Sequence, residues 1–429
     1  MLAAIGFGWI VLDEERGRSR LGALGETALS LAEIPNTIEH VLTDDGKMQA
    51  FNPDRFADQP DGWTVAPEFA GKLPGYVLLS RYDGDAARHV VELVRLSDQT
   101  VVHDWRPDAE ALLADVQRTS KVADFTLWNN RAWRAIHPAL SGDGTLIVKD
   151  HQSALMALDA CGGRVWKQDA MMFHHSTEPD GAGGWWVPGL IEPQTIEKVA
   201  GNFYEDALVH LSADGEVVQT ISLTQVLIDH GYEHRLFGAG VYTKDPSHLN
   251  DIQPVLADGP FWKKGDLFLS LRHLSMVLLY RPSENRIVWA KDGPWMAQHD
   301  VDIIGPTQIS VFDNQGYDRG LGARVKDHNR VAVYDFATDR VSFPYDAAMA
   351  DAKTLFEGLA DAMPGGLMMV EEENSGRVLI ASADGRVAAS YLNKGEDGLA
   401  YRLGWSRYVS QADGDRFAAQ IAATSCPAK

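Results

Sequence analysis

Hydrophobic positions along this chain come in short runs that polar turns interrupt at regular intervals. In six places an apolar residue is followed by a short polar turn and then by a β-rich strand that often ends in an aromatic residue. This pattern is typical of β-hairpins, whose turns use Gly, Asn or Asp in a left-handed backbone conformation. The six predicted hairpins span residues 96–105, 158–166, 211–219, 280–289, 334–343 and 380–389.

The spacing of these hairpins predicts the architecture. They begin 46 to 69 residues apart, which is close to the roughly 40–50 residues of a four-stranded propeller repeat with its loops. An apolar run suited to an inner strand precedes each hairpin, starting at Gly75, Gly144, Trp185, Gly265, Gln308 and Gly365. Six hairpins and six inner strands predict an all-β fold, a six-bladed β-propeller.

Few segments depart from this repeat. Helical patterns occur at residues 108–117, 224–229 and 351–362, which we interpret as short inserts. Residues 1–65 do not match the repeat, so we predict an N-terminal extension followed by one propeller domain with a C-terminal tail over residues 66–429. The first dozen residues are apolar but fewer than the roughly 20 that span a bilayer. They are either part of a membrane anchor or a buried first strand.

Composition narrows the choice of partners. A formal net charge of −21 argues against nucleic acid as the main partner, because phosphate contacts need clustered Lys and Arg. An anionic small molecule stays compatible with this charge if a local cationic pocket opposes the overall field. Cys161 and Cys426 lack the spacing of a zinc site. Either a disulfide or two free thiols fits them, and the sequence indicates no oligomeric state.

Histidines recur at one position of the repeat, several residues before the inner strand. They are His137, the pair His174 and His175, His248 and His299. Because the loop before an innermost strand opens on one end of the central channel, we expect these side chains to meet around the axis. Any one of them could instead be a hydrogen-bonded structural residue, and His137 fits that role best.

Two neighbouring residues add chemistry to the histidines. Asn250 follows His248 by two positions, so an extended segment places both side chains on one face. Arg272 ends an apolar run, where its guanidinium needs an anion or a salt bridge, and its planar fork suits a tetrahedral oxyanion. Such a set predicts either a metal held by three imidazoles or transfer of an oxyanion group through a nucleophilic imidazole.

Four short motifs follow one another in this part of the chain: His248-Leu-Asn250, Leu269-Ser-Leu-Arg272, Gln298-His299-Asp300 and Val311-Phe-Asp-Asn314. In their order and blade positions they resemble the bacterial PAPS-independent arylsulfotransferases, with similarity over roughly residues 130–405. The resemblance implies a six-bladed propeller that needs no cofactor. It also implies ping-pong transfer of a sulfuryl group from an aryl sulfate ester to a phenolic or other hydroxyl acceptor.

The same resemblance implies roles for five residues. His299 would attack the sulfur and become a sulfohistidine, Arg272 and Asn250 would hold the sulfuryl oxygens, and His248 would serve as general acid and then base. The family's upstream channel histidine matches His175 best, with His174 as the alternative. We expect a periplasmic protein, either free or anchored through its N-terminus. A metal-dependent hydrolase or lyase and a non-catalytic binding propeller are the competing hypotheses.

Overall fold

The computed structural model describes residues 2–15, 18, 20–25, 27–32, 49–238 and 240–426. Its fold is all-β and propeller-like, as the hydrophobic pattern predicts. Its helices include α1 (Leu2–Glu15), α2 (Ala109–Leu112), α3 (Leu223–Asp229), α4 (Glu233–Phe237) and α5 (Gln411–Ala422). The strands are β1 (Gly62–Val65), β2 (Tyr76–Asp83), β3 (Arg88–Arg95), β4 (Thr100–Trp105), β5 (Ala139–Leu140), β6 (Leu146–Val148), β7 (Ser153–Leu158), β8 (Arg164–Phe173), β9 (Glu178–Pro179), β10 (Trp185–Leu190), β11 (Asp206–Leu211), β12 (Val217–Ser222), β13 (Leu249–Pro254), β14 (Leu267–Leu271), β15 (Met276–Arg281), β16 (Arg286–Asp292), β17 (His299–Ile303), β18 (Gln308–Asp313), β19 (Gly316–Tyr317), β20 (Arg324–Val325), β21 (Arg330–Asp335), β22 (Arg340–Ser342), β23 (Leu359–Met363), β24 (Leu367–Glu372), β25 (Arg377–Ser382), β26 (Val387–Leu392) and β27 (Arg407–Val409).

Four of the antiparallel sheets have the strand order of a propeller blade. They are β27-β2-β3-β4, β13 to β16, β17-β18-β21-β22, and β23 to β26 with β1 at its outer edge. Strands β5 to β12 form one eight-stranded sheet, in which β8 and β10 share only two residue pairs. The short strands β19 and β20 pair separately.

Hydrogen bonds to carboxylates link the first strands of neighbouring sheets. A backbone N–H of the next sheet donates to each carboxylate: Val301 to Asp251 at 2.9 Å, Ala360 to Asp300 at 2.7 Å, and Tyr408 to Asp361 at 2.6 Å. Strands β13, β17, β23 and β27 therefore stand side by side around a common axis. The apolar core lies outside this ring, between the faces of adjacent sheets, where residues such as Leu78, Val148, Leu208 and Leu269 are fully buried.

All six predicted hairpins are present. They are formed by β3–β4, β7–β8, β11–β12, β15–β16, β21–β22 and β25–β26. Each turn contains a residue with positive φ, namely Gln99, Gly162, Gly215, Asn285, Asp339 and Gly385. The expected residue types supply this conformation in five turns, and glutamine supplies it in the first.

The apolar runs were predicted to be the innermost strands, but each of them is the second strand from the axis. The six apolar runs are β2, β6, β10, β14, β18 and β24, and each pairs with a further strand: β27, β5, β9, β13, β17 or β23. These innermost strands are two to six residues long. They also carry acids such as Asp251, Asp300 and Asp361, so a search for hydrophobic runs passes over them.

The helix predictions had mixed outcomes. Helix α3 lies where it was expected, and only four residues of the predicted segment 108–117 form α2. The helix predicted over residues 351–362 was wrong, because this segment supplies β23. Its backbone turns sharply at Glu357 and Gly358, whose φ angles of 57° and 92° lie outside the helical region.

The predicted N-terminal extension contains a helix, α1, and a strand, β1, which the sequence did not distinguish. Helix α1 exposes Leu2, Ile5 and Trp9, so the alternative of a buried first strand was wrong. Among the described residues, no helix is long and apolar enough to cross a membrane. Strand β1 lies within the range predicted as an extension, yet all of its residues pair with β26. It is therefore part of the last sheet.

The two cysteines form a disulfide across 265 positions of sequence. It ties the β7–β8 turn at Cys161 to the segment after α5 at Cys426. Serine at both positions is expected to lower the free energy of unfolding by roughly 2–5 kcal/mol, because the cross-link restricts a long loop in the unfolded chain. Urea unfolding followed by tryptophan fluorescence measures this. Reduced wild type should match the double variant, and an unchanged midpoint would contradict the prediction.

Candidate active site

A cavity of about 440 Å³ lies where the entrance loops of several sheets meet. Four of the five predicted site residues line it: His175, His248, Arg272 and His299. Three aromatic residues, Phe51, Tyr204 and Phe356, also line it. The cavity thus combines imidazoles, the guanidinium groups of Arg272 and Arg402, and apolar ring surface.

A left-handed backbone turn precedes each of the six innermost strands. The residue at this turn stands one to three positions before β5, β9, β13, β17, β23 or β27. In chain order these residues are His137, His175, His248, Ala297, Glu357 and Trp405, with φ angles of 47°, 52°, 51°, 50°, 57° and 59°. Residues other than glycine adopt this conformation at a cost, so the surrounding packing must hold it. The position that three histidines share is therefore occupied in the other groups by Ala297, Glu357 and Trp405, and His299 follows it by two residues.

The rings of the cavity histidines contact one another. The centroid of His175 lies 4.9 Å from that of His248 and 6.3 Å from that of His299. Trp405 stands beside both His175 and His299, at 6.0 Å and 5.7 Å. Residues that are far apart in sequence therefore share one compact group, with His175 in its middle.

The tautomer of His299 follows from its hydrogen bond to Asn314. The Nδ2 of Asn314 donates to the carbonyl of Glu357 at 2.7 Å, which fixes the orientation of this amide. Its Oδ1 lies 2.8 Å from Nδ1 of His299, so Nδ1–H of His299 must donate to it. Burial, and then the charge of Arg272, hold the pKa of His299 well below its usual range. His299 is therefore neutral at pH 7, with the lone pair on Nε2.

His248 is oriented by a carboxylate. Its Nδ1 lies 2.5 Å from Oδ2 of Asp245. Burial alone would raise the pKa of Asp245, but the hydrogen bond from His248 and the nearby histidines lower it. The ionised carboxylate accepts Nδ1–H and leaves Nε2 of His248 for the cavity. This pairing suits a group that gives and takes a proton.

The adjacent histidines 174 and 175 form a short relay. Nδ1 of His174 lies 2.8 Å from Nδ1 of His175, and its Nε2 lies 3.5 Å from Oδ1 of Asp206. A proton on Nε2 of His174 would face Asp206, and Nδ1 of His174 would then accept Nδ1–H of His175. Both residues reach the cavity wall, but His175 is the one that contacts the rings of His248 and His299.

Among the described residues, no carboxylate pairs with the guanidinium of Arg272. It begins a short 3₁₀ turn directly after β14 and lies over the ring of Phe356, 5.6 Å from its centroid. Burial lowers its pKa from the ordinary value, while Asp245 and Glu357 act on it only at a distance. Within the described part of the chain, no hydrogen bond or salt bridge holds the guanidinium. Its donors are therefore free for an anion in the cavity.

The fifth predicted residue, Asn250, lies outside the cavity. Asn250 is fully buried and does not line the cavity. Its Nδ2 donates to the carbonyl of Gln298 at 2.8 Å, directly before His299. A contact of Asn250 with substrate stays a prediction. His137 is also buried outside the cavity, where Arg407 contacts its ring, in keeping with a structural role.

Several residues at the site had no predicted role. Asn314 was visible in the sequence only as the end of a motif, and Asp245 stands three positions before His248. Glu357 accepts hydrogen bonds from Arg134 at 3.0 Å and lies 2.8 Å from Nε2 of His151. Phe51 belongs to the segment predicted as an extension. Only the spacing of Asp245 and His248 gave a local signal for any of these contacts.

Fold and site together define a propeller-like protein whose pocket offers an anion several imidazoles and the guanidinium of Arg272, which pairs with no carboxylate among the described residues. The family model described as arylsulfotransferase (ASST) matches residues 137–394, which is more than half of the chain and includes all five predicted residues. The chain belongs to the arylsulfotransferase family. This membership supports a sulfotransferase that acts on small molecules.

No curated protein matches the chain. Among solved structures, a protein of unknown function from Bacteroides caccae is 11% identical over 77% of this chain and 98% of its own, with a TM-score of 0.47. A chain of a nidogen/laminin complex is 10% identical over 77% and 97%, with a TM-score of 0.44. Hydrazine synthase from Kuenenia stuttgartiensis is 13% identical over 73% and 78%, with a TM-score of 0.38. Similarities this low carry no argument about activity.

Proposed function

We propose that this protein moves a sulfuryl group from an aryl sulfate ester to a phenolic or other hydroxyl acceptor, through a sulfated His299. One observation carries the proposal: the neutral His299, whose lone pair is fixed on Nε2, shares a cavity with the unpaired guanidinium of Arg272. A nucleophile and an oxyanion-binding group are the two components that such a transfer needs.

In the first half-reaction, Nε2 of His299 attacks the sulfur of the donor. The N–S bond forms while the S–O bond to the aryl group breaks, and His248 protonates the departing phenolate from Nε2. Asp245 stabilises the positive charge of His248 before this proton leaves. The ring of sulfated His299 keeps its proton on Nδ1, because the amide oxygen of Asn314 accepts the hydrogen bond without taking the proton.

In the second half-reaction, the acceptor oxygen attacks the same sulfur. The new S–O bond forms and the N–S bond breaks, which returns the electron pair to Nε2 of His299. His248, now neutral, takes the proton of the acceptor hydroxyl. Arg272 holds the sulfuryl oxygens in both steps, and Asn250 would join it if its amide turns toward the cavity.

The aromatic walls favour an aryl donor. Phe51 and Phe356 meet edge to face with centroids 6.1 Å apart, and both line the cavity beside Arg272. Ring surface of this kind binds an aromatic group through burial and offset stacking. The sulfuryl group of the donor would then point toward the guanidinium.

We also propose a count of six blades. The eight-stranded sheet divides at the two pairs between β8 and β10 into one group of β5 to β8 and another of β9 to β12. Each group contains one of the six hairpins. Six equivalent groups would surround the axis if the two halves are counted separately.

A periplasmic location is part of the same proposal, either free or with α1 at a membrane. Support comes from the disulfide, since such bonds persist in oxidising compartments. The exposed apolar residues of α1 favour membrane contact. Periplasmic extraction by osmotic shock, followed by carbonate washing of membranes, distinguishes the free form, the membrane-bound form and a cytoplasmic protein. Recovery with the cytoplasm would overturn this part.

Detection of the covalent intermediate tests the central claim. The protein is incubated with 4-nitrophenyl sulfate without acceptor, quenched at high pH and analysed by mass spectrometry. The peptide that contains His299 should gain one sulfuryl group and lose it when phenol is added. A stoichiometric burst of nitrophenol without this modification, or sulfation of another residue, would overturn the assignment.

The role of His248 predicts a dependence on the leaving group. His248→Ala is expected to slow transfer from phenyl sulfate by about 10²–10⁴-fold, but transfer from 4-nitrophenyl sulfate far less, because nitrophenolate leaves without a proton. Single-turnover release of each phenol measures the two rates. Equal losses with both donors would contradict general acid catalysis. His234→Gln, a change at an exposed histidine, is the control.

A further inference from the structure

The three cavity histidines also form a donor set for a metal ion. We propose that His175, His248 and His299 bind one divalent transition-metal ion of the zinc type, and that this ion and the sulfuryl group exclude each other. One donor nitrogen from each residue lies within 4.8 Å of the others. The proposal goes beyond the transfer reaction, since it concerns a second ligand of the same cavity.

Hydrogen bonding leaves the same nitrogen free in each ring. Nδ1 is occupied by Asp245 in His248, by Asn314 in His299 and by His174 in His175. Metal-bound histidines characteristically donate one ring N–H to an acceptor of this kind, which fixes the tautomer and orients the lone pair of the other nitrogen. Nε2 is thus the nitrogen that these hydrogen bonds leave open in each of the three rings that line the cavity.

The geometry suits a tetrahedral ion. Zinc bound by three histidines keeps its fourth position open for water. Donor nitrogens around such an ion are roughly 3.3 Å apart, so small ring movements would close the present spacing. The cavity provides room for the fourth ligand on the side of Arg272 and Phe356.

Charge near the site is balanced rather than uniformly positive. Arg272 and Arg402 oppose a second cation, but three carboxylates, those of Asp206, Asp245 and Glu357, also line the cavity. These carboxylates offset the two guanidinium groups.

A neighbouring group of donors is less suitable. Asp245, His248 and His273 also have donor atoms within 4.8 Å of one another. In that group, Asp245 already accepts a hydrogen bond from His248, and Nδ1 of His273 lies 2.6 Å from the carbonyl of Asp245. The two groups share only His248, so changes at His299 and at His273 distinguish them.

The consequence for the reaction is competition. A metal bound to His299 uses the Nε2 lone pair that would otherwise attack sulfur. Bound metal should therefore prevent formation of the sulfated histidine, and sulfation should prevent metal binding. Neither ligand can occupy Nε2 while the other is present.

Cobalt spectroscopy on the full chain tests the site directly. Titration of metal-free protein with Co²⁺ should give the intense visible bands of four-coordinate cobalt at one equivalent. His299→Ala is expected to weaken binding at least about 100-fold and Asn314→Leu by about 10–100-fold, since loss of an outer partner has that effect. His273→Ala and the control His234→Gln should keep the wild-type affinity. Circular dichroism verifies that each variant is folded.

Several outcomes overturn the proposal. Six-coordinate bands, unchanged binding in His299→Ala, or loss of binding in His273→Ala would each exclude the site. With the site established, Zn²⁺ should inhibit aryl sulfate turnover competitively with the donor, and EDTA should restore it. Unchanged or faster turnover with bound Zn²⁺ would exclude the competition. The spectrum does not depend on turnover, so failure of the metal site is distinguishable from failure of the transfer reaction.

Discussion

Replacing His299 with alanine is expected to abolish transfer, lowering kcat by about 10⁴-fold or more. The residue would form the covalent intermediate, and no other side chain has the same arrangement of Asn314 on Nδ1 and a free Nε2 beside Arg272 among the described residues. Release of 4-nitrophenol with saturating phenol measures the rate. Substrate binding should change little by comparison, because the guanidinium and the aromatic walls remain.

His328→Ala serves as the matched control. This histidine lies outside the cavity and makes a 2.9 Å hydrogen bond to Asp346, so its loss should leave kcat within about twofold of wild type, as surface changes away from a site usually do. Similar rates for the His299 variant and this control would contradict nucleophilic catalysis by His299. A large loss in both would indicate general damage to the fold.

Arg272→Gln is expected to have two separate effects. Loss of the charged donors should lower kcat/KM by about 10²–10³-fold, the range seen when one group that stabilises a developing oxyanion is removed. The acid limb of the pH profile should also move to higher pH. Burial, and then the charge of Arg272, hold the pKa of His299 down. Removal of that charge raises the pKa, so His299 becomes protonated and inactive at a higher pH.

Arg272→Lys separates the two effects. Lysine keeps the positive charge but lacks the planar fork, so the rate should fall while the acid limb stays near that of wild type. Profiles of kcat/KM for the three proteins between pH 4 and pH 8 provide the comparison. An acid limb that is identical in Arg272→Gln and wild type would contradict electrostatic control of His299 by this residue.

The sequence revealed the parts of the fold that have a local signal. A hairpin such as residues 158–166 is recognisable in the sequence because a turn-forming residue lies between two apolar runs. All six hairpins were found in this way. The innermost strands carry no such signal, since a strand as short as Ala139–Leu140 owes its existence to its neighbour rather than to its own residues. The hydrophobic pattern of segment 351–362 predicts a helix. Tertiary contacts, which the pattern does not contain, impose the turn at Glu357 instead.

The sequence predicted chiefly those site residues that recur near one position of the blade repeat. The spacing of His175, His248 and His299 before successive strands predicted that they would meet, and the structure places them in one cavity. Glu357 and Trp405 occupy the same position of the repeat but were missed because the search followed one residue type. The partner of His299, Asn314, depends on how β18 ends against the next sheet, and no pattern within one strand encodes that contact.

The way the ring closes has a consequence for the order of folding. The last strand, β27, pairs with β2 near the start of the described fold, and β1 pairs with β26. Both seams join residues that are far apart in sequence, so a nascent chain emerging from the ribosome completes neither of them until β26 and β27 have been made. Trp405, which packs against His175 and His299, stands two residues before β27. A truncated product that ends before Trp405 would therefore lack strand β27, its seam with β2 and the indole ring that packs against His175 and His299.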